Sequence, residues 1–283
     1  MKCAEEIVAL VSTRDRWSLL IGRSLPGVAS QTQRPDRVVI VNDGRPFRAD
    51  QVDAIRDTLA PTSVDVLENK RTSGAAGAWN TGLAYINLHG WDGYVAILDD
   101  DDVWDAGHLE QNESAACTHD ASIAVSGLRL IIDGAEQPRP LIDRLDARDF
   151  LVGNPGWQGS NTFVRLSLLR QVGGFRDGMP SLNDRDLAIR LLRAPEAKVA
   201  IVNQWTAAWH VDSNGGALST RRSSAKIKGL RWFWHIYGNE MTRTESDAFF
   251  ARADTLFGVG RDEIVEGDQD RPPHVEPKGD WRD

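Results

Sequence analysis

The stretch YVAILDDDDVW, residues 94–104, joins a run of apolar and aromatic residues directly to four consecutive aspartates. The run 94–98 is typical of a buried strand, and Asp99, Asp100, Asp101 and Asp102 follow where that strand would end. Adjacent carboxylates repel one another, and no Lys or Arg lies within four residues on either side. A hard divalent cation would neutralise this charge. The pattern therefore favours a metal site over a solvated acidic loop.

Three more polar clusters follow predicted strands in the first half of the chain. The four predicted strands are 7–11, 37–41, 64–67 and 94–98. They alternate with helix-period segments, a pattern that predicts a parallel sheet with crossover helices. The polar clusters after the first three strands are 12–15, 42–43 and 69–71. Because ligands of open α/β sheets bind at the carboxyl ends of strands, we expect all four clusters to form one site.

The second half of the chain is less regular. The sequence predicts strands at 123–132, 198–202 and 206–211 and a helix at 183–193. Residues 213–226 have the composition of a mobile loop, and helical faces recur around 227–237 and 249–256. The polar, proline-rich end predicts a disordered tail.

Composition limits the classes of function. The chain has 283 residues and a formal net charge of −8, which argues against a nucleic-acid or anionic-membrane binder. Its two cysteines, Cys3 and Cys117, exclude a disulfide framework and fit a reducing compartment. The sequence shows neither a signal peptide nor a run of about 20 apolar residues that could span a membrane. We therefore expect a soluble, cytoplasmic protein.

Five segments, in order, carry a resemblance to a known family. They are VASQTQRPDRVVIVNDG (28–44), NKRTSGAAGAWNTGL (69–83), YVAILDDDDVWDAGHLE (94–110), SNTFVRLSLLRQVGGF (160–175) and LNDRDLAIRLL (182–192). With the polar turn VSTRDR they resemble the inverting, metal-dependent nucleotide-sugar glycosyltransferases of family 2, over about residues 5–212. The resemblance implies the GT-A fold, an α/β architecture in which helices flank a mostly parallel sheet. It suggests a GT-A domain at 1–222, a helical extension at 223–261 and a tail at 262–283.

The resemblance implies a site for a nucleotide diphosphate across the first strand ends. Asp43 corresponds to the residue that accepts a hydrogen bond from uracil, although an Asx turn with Gly44 also explains it. The other donor-binding positions that we assign are Ser12, Thr13, Arg14, Arg71, Gly74, Asn80, Asp99, Asp100, Arg221 and Arg222. The family often has an aromatic residue and Asn where this chain has Arg14 and Asp15, which leaves the base open. Arg221, Arg222 and Lys226 either close over the diphosphate or form a solvated basic loop.

The same resemblance assigns the metal site. Asp99 and Asp101 take the two Asp positions of the D-x-D motif, with Asp101 the stronger candidate for a ligand of Mn²⁺ or Mg²⁺. Asp99 and Asp100 would contact the ribose, the donor sugar or a metal-bound water. His210 corresponds to a histidine that completes the site in many relatives, but a lone histidine is also often structural.

Asp184 is the candidate general base that deprotonates the acceptor. It corresponds to the first acid of the family's D-x-D/E-L segment, and at a helix start the macrodipole would favour its ionised form. The same position also suits a helix cap. Asp186 is expected to pair with Arg190 at i,i+4 spacing. Trp157, Gly159 and Ser160 are assigned to the acceptor site, although Trp157 also fits an ordinary core position.

The leading hypothesis is thus transfer of a sugar, most favourably from a UDP-sugar, to an acceptor that the sequence does not identify. A sugar nucleotidyltransferase is a weaker alternative, since STRDRWS (12–18) lacks a glycine-rich phosphate loop. A catalytically inactive sugar-nucleotide-binding module is another. The aromatic stretch RWFWHIY (231–237) could form a homodimer interface, a peripheral membrane surface or the packing of C-terminal helices.

Overall fold

The computed structural model describes residues 5–211 and 221–266, and their central feature is one mixed sheet. The strands are β1 (Glu6–Thr13), β2 (Arg37–Asn42), β3 (Ser63–Glu68), β4 (Gly93–Asp99), β5 (Val103–Trp104), β6 (Ile123–Ile132), β7 (Ala135–Gln137), β8 (Thr162–Arg165) and β9 (Val199–Val211). Their order is β3-β2-β1-β4-β8-β6-β9-β5, with β7 paired to β6. The longest ladders, including those that join β3, β2, β1 and β4, are parallel. The predicted α/β class is confirmed.

The register of the parallel strands brings the predicted polar clusters to one edge. Ser12 lies opposite Val41 on one side and opposite Asp99 on the other. Thr13 lies opposite Asn42, and the amide of Asp43 donates a hydrogen bond to the Thr13 carbonyl at 2.8 Å. The four strand ends that sequence analysis grouped together are therefore neighbours in space.

Helices cover both faces of the sheet because strand residues alternate between two hydrophobic clusters. Val8 and Leu10 of β1 face one cluster, whereas Ile7, Ala9 and Val11 face the other. The α-helices are α1 (Trp17–Leu19), α2 (Leu25–Ala29), α3 (Ala49–Leu59), α4 (Ala75–Leu88), α5 (His108–Thr118), α6 (Asp149–Val152), α7 (Leu166–Gln171), α8 (Asn183–Leu192), α9 (Ser224–Tyr237), α10 (Arg243–Arg252) and α11 (Arg261–Val265). Because helices cover the two faces of the sheet, a ligand site is expected at the ends of the strands.

The region predicted as two strands after residue 198 is a single strand. β9 runs from Val199 to Val211 and pairs in parallel with β6, which has the predicted bounds. The pairing shifts register around Gly127, which lies opposite Trp205. Residues 203–205, between the two predicted strands, therefore lie at an irregularity of the ladder rather than in a turn.

The C-terminal helices pack on the core of the preceding domain. Trp232, Phe233 and Tyr237 of α9 are buried in the same cluster as strand residues such as Val8. Packing therefore explains the aromatic stretch 231–237, while dimerisation stays a prediction. α11 continues the helical structure to Val265, four residues into the predicted tail, and residues 267–283 lie outside the described part of the chain.

Two observations bear on the expected location of the protein. None of the helices that the structure describes has the length and apolar character needed to cross a lipid bilayer. Cys117, in α5, is disulfide-bonded, and Cys3 lies outside the described residues. Cysteine usage therefore gives no support for a reducing compartment, and a cytoplasmic location stays a prediction.

Asp186 is fully buried and anchors α8 to its surroundings through ion pairs with two largely buried arginines. Its carboxylate lies 2.7 Å from Arg190, as predicted, and 3.1 Å from Arg176. Tyr237 of α9 donates a third hydrogen bond at 2.8 Å. Burial alone raises the pKa of Asp186, but the two guanidinium groups outweigh it and hold the pKa below its ordinary value.

We predict that Asp186→Ala lowers the free energy of unfolding by about 3–5 kcal/mol, because it removes the carboxylate that pairs with two largely buried guanidinium groups. Urea denaturation followed by circular dichroism measures this change. Asp53→Ala is the control, since Asp53 pairs with Arg56 at 3.6 Å on the surface and the pair should contribute little. A loss for Asp186→Ala no larger than that of the control would contradict the prediction.

Candidate functional site

The aspartates at the end of β4 contact residues at the end of β1 and in the turn that follows it. The Arg16 guanidinium contacts Asp101 and lies 3.2 Å from Asp100. The Thr13 hydroxyl donates a hydrogen bond to Asp100 at 2.6 Å. Arg16 was not predicted from the sequence, because it is far from the aspartates along the chain. The adjacent, parallel placement of β1 and β4 was the signal that could have identified it.

Asp102 has a structural environment of its own. Its carboxylate accepts a hydrogen bond from the Ser160 hydroxyl at 2.5 Å and another from the backbone amide of His210 at 2.9 Å. Ser160 in turn accepts a hydrogen bond from the amide of Asp99 at 3.1 Å. Ser160 is fully buried and orients the acidic cluster, and its assignment to the acceptor site stays a prediction.

The cluster retains more negative charge than its neighbours balance. Burial and repulsion among the carboxylates raise the pKa of Asp99 well above its ordinary value. Burial is also the main cause that raises the pKa of Asp100 to about 6 and that of Asp102 to about 8. Within residues 5–211 and 221–266, no donor hydrogen-bonds to the Asp99 carboxylate. Asp99 is therefore the member with the greatest capacity for a further cation, whereas Asp101 shares its charge with Arg16.

A divalent cation fits the chemistry of these donors, although the described residues do not form a complete set of ligands. No group of three or more His, Cys, Asp or Glu side chains is arranged for a metal in the part of the chain that the structure describes. His210 is brought to the cluster through its backbone amide. Oxygen ligands suit Mg²⁺ and Mn²⁺, and the unbalanced charge favours cation binding. A metal here would need further ligands from a bound molecule or water.

Asp43 orders the loop that follows β3. Its carboxylate accepts hydrogen bonds from Asn69 at 2.6 Å, from the Ser73 hydroxyl at 3.0 Å and from the amide of Gly74 at 2.7 Å. Gly74 has a φ of +129°, a conformation that only glycine adopts readily. Arg14 lies 3.8 Å from the same carboxylate and is largely exposed. The predicted uracil contact would therefore come from a residue that already holds the loop 69–74.

The remaining predicted donor residues in the first half have different environments. Ser12 is largely buried at the end of β1. The amide of Arg71 donates a hydrogen bond to Asn69 at 2.9 Å, inside the loop that Asp43 holds. Asn80 is buried in α4 and exchanges two hydrogen bonds with the backbone of Phe175, at 2.7 and 2.8 Å. The Asn80 amide thus joins α4 to the segment after α7, and its assignment to donor binding stays a prediction.

The predicted basic residues after β9 do not act as a group. Arg221 donates a hydrogen bond to the Thr255 carbonyl at 3.1 Å, and Arg222 pairs with Glu263 at 3.0 Å. Both side chains thus bind the C-terminal helices rather than the acidic cluster. Lys226 belongs to the first turn of α9 and is buried, not part of a loop. Residues 212–220 lie outside the described part of the chain.

Asp184 lies at the start of α8 in a pocket of polar and cationic groups. It accepts a hydrogen bond from the Asn154 amide at 2.7 Å and one from the backbone of Arg185 at 2.9 Å. Burial raises its pKa, and the nearby charge of Lys226 lowers it in part. The expected stabilisation of the ionised form is thus outweighed by burial. Sequence analysis did not identify Asn154, which stands in the glycine-rich segment before Trp157.

The segment 154–160 connects Asp184 to the acidic cluster. Asn154 binds Asp184 at one end, and Ser160 binds Asp102 at the other. A Cβ atom added to Gly159 would lie 3.1 Å from a carboxylate oxygen of Asp99, so glycine allows the backbone to approach the cluster. Trp157 is 2% exposed and donates a hydrogen bond to Thr162 at 2.8 Å. Trp157 therefore lies in the core, as the alternative predicted, and its assignment to the acceptor site stays a prediction.

A family comparison matches this arrangement to known proteins. The model described as "Glycosyl transferase family 2" matches residues 9–192. The chain belongs to this family. The match includes β1 to β4, the acidic cluster and α8, and it confirms the predicted resemblance.

Curated relatives of this family member are longer than the chain. The present chain is 29% identical over 168 residues to the "Pre-mycofactocin glycosyltransferase" of Mycobacterium tuberculosis strain CDC 1551 / Oshkosh. The corresponding protein of strain ATCC 25618 / H37Rv matches with the same identity and length. The match covers 56% of this chain and 34% of each relative. The chain therefore spans only about a third of the length of each relative.

Solved structures show the same fold at low sequence identity. S. aureus TarS 1-349 in complex with UDP-GlcNAc has a TM-score of 0.63 and 16% identity, and covers 90% of this chain and 74% of its own. The complex of TarS 1-349 with UDP has a TM-score of 0.59 and 15% identity, with coverage of 88% and 72%. These likenesses confirm the predicted GT-A fold.

We predict that Asp43→Ala loosens the loop 69–74, because the loop loses three hydrogen bonds to one carboxylate. Hydrogen bonds to charged groups typically contribute about 1.5–3 kcal/mol, so amide exchange there should accelerate by roughly tenfold or more. Hydrogen–deuterium exchange with mass spectrometry measures this rate. Asp36→Ala is the control, since the Asp36 carboxylate accepts a hydrogen bond from the amide of Ile7 and none from the loop 69–74 in the described part of the chain. Unchanged exchange in peptides that contain Gly74 would contradict the prediction.

Proposed function

We propose that this family 2 member is an inverting, metal-dependent glycosyltransferase. It transfers a sugar from a nucleotide-diphosphate donor, with a UDP-sugar favoured, to a hydroxyl or amine of an acceptor. The observation that supports the proposal most strongly is that segment 154–160 contacts Asp184 at one end and the acidic cluster at the other. A base and a candidate diphosphate site are thus held by one short segment.

The donor side of the proposal uses the strand ends of β1, β2 and β4. Asp43 and the loop that it orders flank one side, and Asp99 and Asp101 flank the other. The exposed guanidinium of Arg14 beside Asp43 could stack on a base. UDP-GlcNAc and UDP are bound in structures of TarS, which shares the fold, and this supports a UDP-sugar as the donor.

Asp99 and Asp101 are the residues that would hold Mn²⁺ or Mg²⁺, and His210 is the proposed third protein ligand. When bound, the metal would supply positive charge at the leaving diphosphate. Asp102 would not be a ligand, because both of its carboxylate oxygens already accept hydrogen bonds from Ser160 and the His210 amide. Its role is to fix the turn that carries the ligands.

Asp184 is proposed to accept the proton of the attacking acceptor group. Asn154 holds one oxygen of its carboxylate, and the amide of Arg185 holds the other. A pKa raised by burial makes the carboxylate a stronger base once it is ionised, and general-base assistance typically contributes about 10²–10⁴-fold to the rate. Attack from the face opposite the leaving diphosphate would invert the anomeric centre.

The alternatives are less consistent with these observations. A sugar nucleotidyltransferase is disfavoured because the family match is to glycosyl transferases and the turn after β1 contains no glycine. In a catalytically inactive binding module, the buried Asp184 carboxylate would have only a structural role, as the partner of Asn154 and of the Arg185 amide. Turnover of a donor distinguishes this module from an enzyme.

Isothermal titration calorimetry with UDP-GlcNAc, GDP-mannose and ADP-glucose tests the donor assignment, each with MnCl₂ or with EDTA. We expect UDP-GlcNAc to bind best, and we expect EDTA or Asp101→Asn to weaken its binding by about tenfold or more, since the diphosphate loses its counter-charge. Asp53→Asn, on the far surface of α3, is the control. Equal binding of UDP-GlcNAc with and without metal would contradict metal dependence, and the absence of binding by any nucleotide sugar would contradict the proposed function.

We predict that Lys226→Met shifts the acid limb of the pH–rate profile to higher pH. The reaction needs ionised Asp184, so the rate rises as pH increases through the Asp184 pKa. Lys226⁺ lowers that pKa, and its loss therefore raises it. Burial lowers the pKa of Lys226 itself to about 8, so the two profiles should converge at higher pH, where the wild-type lysine is also neutral.

UDP release from UDP-GlcNAc, with water as acceptor, measures this profile between pH 5 and about 9. Lys228→Met is the matched control, since Lys228 is exposed on the same helix and lies over the Trp232 ring. An acid limb that stays in place in Lys226→Met, or that moves equally in Lys228→Met, would refute the coupling.

A further inference from the structure

A cavity of about 770 Å³ lies beside the β6–β7 hairpin, away from the donor strand ends. The residues that line it and matter here are Arg129, Glu136, Gln137, Arg139, Leu141 and Trp205. Its volume is in the range of small-molecule sites in proteins. None of these residues has a role in the donor site described above.

The wall formed by Trp205 results from the irregular pairing of β6 and β9. Trp205 lies opposite Gly127, where the register of the ladder shifts, and it is 44% exposed. A Cβ atom on Gly127 would lie 2.4 Å from Leu141 and 3.0 Å from the Trp205 ring. Glycine at this position therefore lets Leu141 and the indole pack closely, and they present an apolar surface to the cavity.

One residue that lines the cavity, Arg139, also lies near the segment that holds the proposed base. Arg139 lines the cavity, interacts electrostatically with Asp184, and lies over the ring of Trp209 at 5.5 Å. One of its guanidinium nitrogens would be 3.9 Å from a Cβ on Gly156, in the segment whose Asn154 binds Asp184. Arg139 thus links the cavity lining to segment 154–160, whose Asn154 binds the carboxylate that would receive the acceptor's proton.

The charges of the lining residues indicate the kind of molecule that fits. Arg129 is paired with Asp105, so its charge is already compensated within the chain. The remaining charges are Arg139 and Glu136, which are of opposite sign, and Gln137 can both donate and accept hydrogen bonds. An aromatic face next to such mixed donors and acceptors suits a neutral polyhydroxylated ring better than a multiply charged anion.

We propose that this cavity, the Trp205 cavity, is the acceptor subsite and that it takes a neutral saccharide, whose ring stacks on the indole of Trp205. Gln137 and Glu136 would bind its hydroxyl groups, and Arg139 would mark the end that approaches Asp184. The assignment rests on the proposed glycosyl transfer, since it identifies the class of acceptor for that reaction. Binding of the saccharide itself requires neither donor nor metal.

Saturation-transfer difference NMR on the full chain tests the proposal without donor or metal. The probes are the neutral disaccharides cellobiose, maltose, lactose and chitobiose, with glucose 6-phosphate and inorganic phosphate as anionic probes. We expect at least one disaccharide to bind the wild type, and Trp205→Ala to weaken that binding by about tenfold or more. Trp205→Phe, which keeps an aromatic face, should retain most of the affinity.

Trp91→Ala is the matched control, because this tryptophan packs on Tyr85 and under Arg37 at a different part of the sheet. Its saccharide binding should equal that of the wild type. Thermal unfolding of each variant separates a lost contact from a lost fold. If Trp205→Ala proves unstable, Gln137→Ala, on the short strand β7, provides the same comparison with an expected weakening of several-fold.

The proposal is overturned if none of the disaccharides binds the wild type, if Trp205→Ala binds as well as the wild type, or if the anionic probes bind more tightly than the sugars. Its failure is distinguishable from that of the proposed function. Donor binding and UDP release with water as acceptor report on the glycosyltransferase itself, and Trp205→Ala should leave both within about twofold of the wild type.

Discussion

The site depends on how the chain balances four adjacent carboxylates at the end of a buried strand. Isolated in the sequence, these aspartates have no nearby cation, and their mutual repulsion would destabilise the strand end. The parallel pairing of β1 with β4 brings Thr13 and Arg16 to them. Asp100 and Asp102 are then held by several protein donors, Asp101 pairs with Arg16, and Asp99 has the least compensation. The same pairing that builds the sheet thus gives the four carboxylates unequal surroundings, and cation binding by Asp99 and Asp101 stays a proposal.

Asp184 has an environment of the opposite kind, which separates its chemistry from that of the cluster. Lys226 and Arg185 lie near it, and no second carboxylate is among the main influences on its pKa. Burial and nearby positive charge act in opposite directions on this pKa, whereas burial and repulsion act together on Asp99. The two groups of acids therefore suit different tasks, one to attract cations and one to exchange a proton. Segment 154–160 keeps them in a fixed relation.

The sequence predicted the elements whose signal is local. The strand at 123–132 and the helix beginning at Asn183 were predicted because their hydrophobic periods are regular, and the grouping of polar strand ends followed from the rule for parallel sheets. The partners of those residues depend on contacts between distant segments. The pairing of Arg16 with the aspartates was missed for that reason, and so were the hydrogen bonds of Asn80 to the backbone of Phe175. Trp157 was ambiguous from sequence, since burial of a tryptophan depends on the packing of α6 and β8 around it.

The central claim is that the cluster at the end of β4 holds a cation together with the diphosphate of the donor. Crystals of the full chain grown with UDP and MnCl₂, with diffraction data collected at the manganese absorption edge, test it most directly. The account predicts one anomalous peak within coordination distance of Asp101 and of a UDP phosphate oxygen. UDP bound at the strand ends with no manganese beside Asp99 or Asp101, or manganese bound only elsewhere on the protein, would contradict it.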